Sequence, residues 1–170
     1  MNRVHEPLLE KWRRYKNRPA EERWLILQAA VFMPLTSLGL RLLGFRRWKQ
    51  WVENWSVPEN SASMRTRDVE QEVAQSTIRA VRSAELHGLG APNCLERSLA
   101  LWWLLRRRGI GAELHIGAAK HGGRFQAHAW VEFNGEVLND SADVHRHYMR
   151  FDAPIAAGAA GHSAEIRRKS

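Results

Sequence analysis

Three residues of this sequence are of types that together could do chemistry. Cys94, the only cysteine, stands 34 residues before His128, and His128 stands 12 before Asp140. A thiolate is a strong nucleophile, an imidazole can take and return its proton, and a carboxylate can fix the imidazole's tautomer. In one cleft, such a set transfers an acyl group through a thioester. Each residue alone has a plainer account: a free cysteine is often a small buried hydrophobe, a strand histidine often packs, and an aspartate at a strand end often forms a turn. The combination weighs more because each residue falls on the kind of element this chemistry needs.

Asn93 reads as a helix N-cap and Glu96, at the third helical position, completes a capping box. The helix then runs through Leu99, Leu101, Trp102, Leu104 and Leu105 to the stop signal Arg106-Arg107-Arg108-Gly109. Cys94 therefore lies in the first turn, where unpaired N–H groups and the helix dipole favour a thiolate. Its own backbone N–H is the natural oxyanion donor. Three strands follow: residues 112–118 alternate, Gly122-Gly123 turns the chain, 126–133 alternate again, and Asn134-Gly135 opens a hairpin into 136–140. Hairpin pairing puts Asp140 within one or two positions of His128. Trp130 and Glu132 share the face of His128, so they are expected to line the cleft as substrate-binding residues. His115, His121, His145 and His147 compete less well. A zinc or iron site built from His115, His128 and Asp140 would leave Cys94 without a role, so neither metal nor cofactor is expected.

The rest of the chain must position these residues. Its 44% hydrophobic and 26% charged content suits one folded domain of 170 residues. A single cysteine excludes an internal disulfide and, with no secretory signal at the start, points to a reducing cytoplasm. Residues 1–57 read as a basic, apolar helical extension, and residues 1–50 hold eleven Lys/Arg against four Glu within a net charge of +8. Residues 20–45 form helix apolar nearly all round, which Pro34 should kink or split in two. Arg46, Arg47 and Lys49 with Trp48, Trp51 and Trp55 form an aromatic-basic belt, so one of these helices is offered to a partner or to a membrane interface. A full membrane span is disfavoured by Gln28, Pro34, Thr36, Ser37, Gly39 and Arg41. Residues 56–63 read as a linker, 64–86 as an amphipathic scaffold helix, 58–152 as the core domain and 153–170 as a flexible tail. The basic surface suits anionic partners, but no nucleic-acid motif accompanies it, and nucleic acid is not expected.

The segments NCLERSLALWWLLRRRGI (93–110), AHAWVE (127–132) and VLND (137–140) resemble the transglutaminase-like cysteine peptidases of lasso-peptide biosynthesis, the stand-alone leader peptidases. The likeness covers roughly residues 65–141. It implies an α+β, papain/transglutaminase-like core, with a nucleophile helix packed on a small antiparallel sheet behind an N-terminal helical extension. It implies Cys94 as nucleophile, His128 as general base and Asp140 as its orienter. The implied substrate is a ribosomally made precursor peptide, cleaved between leader and core. The implied partners are a small leader-recognition protein and an asparagine-synthetase-like macrolactam cyclase. Two other readings stand beside it: a transglutaminase or amidase using the same three residues, and a non-catalytic basic adaptor for nucleic acid or membrane.

Overall fold

The computed structural model describes residues 19–55, 66–87, 91–121 and 124–151. The linker expected over 56–63, the Gly122-Gly123 turn and the tail from 153 lie outside them. In chain order the elements are α1 (Ala20–Asn54), α2 (Arg67–His87), α3 (Cys94–Arg107), β1 (Glu113–His121), β2 (Arg124–Phe133), β3 (Glu136–Val137), α4 (Val144–His147) and β4 (Met149–Arg150). α1 and α2 pack on each other and on α3, and α3 packs on an antiparallel sheet of order β3-β2-β1-β4, an α+β architecture.

In α1 the break falls elsewhere than expected. The helix runs straight past Pro34 and turns at Gly44, whose backbone is at φ 74°, ψ 166°. A proline inside a helix forfeits one hydrogen bond, but here both flanks are pinned. Met33 and Thr36 are buried, and Phe32 stacks on Trp103 of α3 with ring centroids 4.2 Å apart. The Gly44 conformation is one that essentially only glycine adopts, so the second limb can fold back on the first. Trp48 then lies on Gly39, so closely that a Cβ there would come within 2.2 Å of the indole.

The core is shared by α1, α2, α3 and the sheet. Leu25, Ala29, Phe32 and Val52 meet Ala74, Ala80, Val81 and Ala84, and these cover Leu99 to Leu105, Leu114 and Val131. The buried face of α2 is centred on alanines that admit close helix approach, while Val69 is exposed. Arg108 ties the three helices together: it donates to Ser76 Oγ at 2.7 Å and Thr77 Oγ1 at 3.0 Å, and pairs with Glu21 at 2.5 Å. The stop signal of α3 works as expected, with Gly109 at φ 75° and Ile110 N donating to Leu105 O.

β1 and β2 pair over their whole length, from Glu113 opposite Glu132 to His121 opposite Arg124, and Gly117 faces His128. Gly117 is close-packed on the far side of the sheet, where a Cβ would meet Met149 O at 2.9 Å and the Trp130 ring at 3.0 Å.

The elbow of α1 generates a test. Gly44→Ala should lower the unfolding free energy by about 1–3 kcal/mol through backbone strain, although no atom lies within 4 Å of the added methyl. Urea denaturation measures it; an unchanged midpoint would mean that the limbs can meet at another angle.

Candidate active site

Cys94 opens α3 under the cap foreseen for it. Glu96 N donates to Asn93 Oδ1 at 2.9 Å, and Asn93 N donates to Glu96 Oε2 at 3.1 Å. The cap engages the N–H of Glu96, so those of Cys94 and Leu95 have no intrahelical acceptor. The sulfur is part-exposed, at the positive end of a helix of 14 residues.

The edge of β2 fixes what this helix start faces. β3 pairs with β2 for only two residues, Glu132 with Val137 and Phe133 with Glu136. Leu138 N still donates to Val131 O, and there the ladder ends. Side chains then continue it. Val131 N donates to Asn139 Oδ1, Asn139 Nδ2 donates to Ser98 Oγ, and Ser98 Oγ donates to Ala129 O, each at 2.8 Å. Ser98 lies one turn after Cys94 on the same face of α3. The start of α3 is thus bolted to β2, one turn after Cys94 and one residue beyond His128. Ser98 and Asn139 were not among the expected site residues. Their signal was available: a hydroxyl in the apolar run LERSLALWW has to find a buried partner.

Past Asn139 the chain leaves the sheet, and the Asp140 carboxylate hydrogen-bonds His128 Nε2. Partial burial works to raise the Asp140 carboxyl, but the hydrogen bonds from His128 and from the Ser141 N–H outweigh it and hold the group below the ordinary carboxylate value. Its contribution is therefore present above that ordinary value and is lost only as the pH falls through the lowered one. A proton held at Nε2 by the carboxylate leaves Nδ1 as the basic nitrogen. Tyr148 stacks on the ring with centroids 4.6 Å apart, a contact the sequence did not announce. The structure thus brings His128 and Asp140 together and sets Cys94 at the helix start beside the same strand. Among the described residues the thiol itself makes no hydrogen bond.

Trp130 and Glu132 do not line an open cleft. Trp130 is fully buried and donates through Nε1 to Glu132 Oε1 at 2.6 Å. Glu132, also buried, accepts from Arg150 at 2.6 Å and lies 3.2 Å from His145 Nε2. The alternation rule gave their face correctly but not what covers it: residues 144–150 fold over this side of the sheet as a roof. Glu132 is the polar anchor of that roof. His115 lies buried beside it and 3.2 Å from Glu113, and burial pushes its imidazole below the ordinary value, which the Glu132 charge only partly offsets. His115 thus turns to these carboxylates, and among the described residues no three metal-ligand side chains converge.

Residues 38–151 match the model of the transglutaminase-like superfamily, a span that runs from the middle of α1 to the end of β4 and includes Cys94, His128 and Asp140. No match was found among curated proteins or among solved structures.

The bolt between α3 and β2 is testable. Asn139→Ala strands the Val131 N–H, and Ser98→Ala strands the Ala129 carbonyl, so each should cost about 1–3 kcal/mol. Because the two side chains share one hydrogen bond, the double variant should lose measurably less than the sum in urea denaturation. Strict additivity would show two independent contacts.

Proposed function

Since the chain belongs to the transglutaminase-like superfamily, whose chemistry is that of cysteine peptidases and acyltransferases, we propose that Cys94, His128 and Asp140 form a catalytic triad. The observation that carries this reading is the Asp140 contact to His128 Nε2, on a strand bolted to the Cys94 helix one turn after Cys94. That arrangement leaves one ring nitrogen for a thiol and places the thiol where a helix start stabilises its anion.

In this mechanism His128 takes the thiol proton, and the Cys94 thiolate attacks a peptide carbonyl. The Cys94 backbone N–H faces the tetrahedral oxyanion as donor. The C–N bond breaks as His128 returns the proton to the departing amine, leaving a thioester. Water, deprotonated by the same imidazole, then adds to the thioester and releases the carboxylate and the free thiol. Asp140 holds the imidazole in register and stabilises its charged form.

The substrate of this proposal is a lasso-peptide precursor, cut between leader and core. The support is the likeness of segments 93–110, 127–132 and 137–140 to the leader peptidases of that pathway. A leader-recognition protein then presents the precursor by raising its effective concentration at the site, and a macrolactam cyclase takes up the freed core. The superfamily match is equally consistent with a second reading, in which an amine replaces water and the thioester is transferred instead of hydrolysed.

Purified chain incubated with precursor, with and without the recognition protein, should release leader and core as separate masses, faster with the partner. A side-chain mass change without chain scission would establish the acyl-transfer reading. Cys94→Ala and His128→Ala should abolish the reaction, and Asp140→Asn should slow it by about two to four orders of magnitude. Full activity in Cys94→Ala would end the proposal and leave the adaptor reading.

A further inference from the structure

The first limb of α1 carries an apolar stripe that the fold does not use. Trp24, Leu27, Val31, Leu35, Leu38 and Leu42 follow each other at intervals of three and four, and each is between 47% and 73% exposed. No charged residue occurs between Arg23 and Arg41. The stripe runs over 19 helical positions, about 27 Å, with no charge before Arg41 near its end. Contiguous exposed apolar surface of this kind marks an interaction site.

Its surroundings say what covers it. At one end stand Arg41, Arg46 and Arg47, all exposed, none with a carboxylate partner among the described residues. Beyond the Gly44 elbow, Trp51 and Trp55 are exposed and pack on each other with centroids 4.2 Å apart and ring planes tilted by 33°. Leucines between indoles and guanidinium groups suit the boundary between acyl chains and anionic headgroups. Crossing the bilayer is not open to this helix, although it is long and apolar enough by composition. Its opposite face is the core of the domain: Leu25, Ile26, Ala29, Phe32 and Met33 are buried, with Phe32 stacked on Trp103. A second copy of the chain fits less well. Parallel pairing would set the arginine clusters against each other. Antiparallel pairing would offer them Glu21, which already pairs with Arg108 at 2.5 Å. A leaflet rich in phosphate supplies both the apolar phase and the anions.

We propose that α1 seats the protein on an anionic membrane surface, lying in the interface with the stripe of residues 24–42 toward the acyl chains and Arg41, Arg46 and Arg47 at the headgroups. This seating does not depend on the catalytic reading of Cys94.

Flotation of the full chain with vesicles tests it. The protein should float with an equal mixture of phosphatidylglycerol and phosphatidylcholine, and far less with phosphatidylcholine alone. Leu38→Glu combined with Leu42→Glu should remove binding to both. Arg46→Gln combined with Arg47→Gln should weaken binding to the mixed vesicles by about 30-fold and leave the neutral ones unaffected. All four positions are exposed, and circular dichroism and unfolding midpoints check that the variants stay folded. The proposal is overturned if the wild type does not float, if it binds neutral and anionic vesicles alike, or if the leucine variants float as well as the wild type. It is equally overturned if the stripe proves to be covered in solution by a second copy, seen as a dimer that Leu38→Glu dissociates. A recognition protein that binds the wild type but not Leu38→Glu, with vesicles ignored, would overturn it in favour of a protein partner.

Discussion

A strand that loses its neighbour halfway must still satisfy its backbone, and in this protein that requirement organises the candidate site. β3 ends after two residues, leaving the Val131 N–H and the Ala129 carbonyl of β2 exposed to an apolar core. Asn139 and Ser98 complete them and bond to each other. An unpaired amide or carbonyl in that setting costs about 1–3 kcal/mol, so the two side chains hold α3 and β2 in a single register. Because Ser98 follows Cys94 by one turn, and Ala129 follows His128 by one residue, that register also sets where sulfur and imidazole stand. Because Asn139 is drawn into the strand edge, Asp140 is the residue turned toward the ring.

Much of this was legible in the sequence, because local rules governed it. The capping box at Asn93 and Glu96, the glycine stop after Arg108 and the Asn134-Gly135 hairpin all depend on near neighbours. The proximity of Asp140 to His128 followed from hairpin arithmetic. The α+β class was implied by the family likeness of segments 93–110, 127–132 and 137–140, and the fold has it. What could not be read depended on distant partners. Pro34 reads as a breaker, yet Phe32 and Met33 are held so firmly by the core that the helix continues, and the break moves to Gly44. Trp130 and Glu132 share a face with His128 as alternation requires. No periodicity could reveal that residues 144–150 return to roof that face.

The roof and the sheet meet through a small set of charges in a confined space. Glu132 is surrounded by the Trp130 N–H, Arg150 and His145, with His115 3.5 Å away. Buried carboxylate oxygens need such partners to offset their lost hydration. The consequence reaches the imidazole, since Tyr148, which stacks on His128, belongs to the roof that Glu132 anchors. His128 is therefore clasped between a carboxylate from one chain segment and a phenol ring from another.

These contacts join parts of the chain that are far apart along it. Ser98 reaches 31 positions forward to Ala129, and Asn139 reaches 41 back to Ser98. No short stretch of the nascent polypeptide contains both Cys94 and His128. Long-range pairings of this kind form late, after the loop-closure entropy has been overcome. Partly folded chains would then carry an isolated sulfhydryl and an imidazole not yet held by its carboxylate. The arrangement of Cys94, His128 and Asp140 would be completed with the last step of self-assembly, as a property of topology alone.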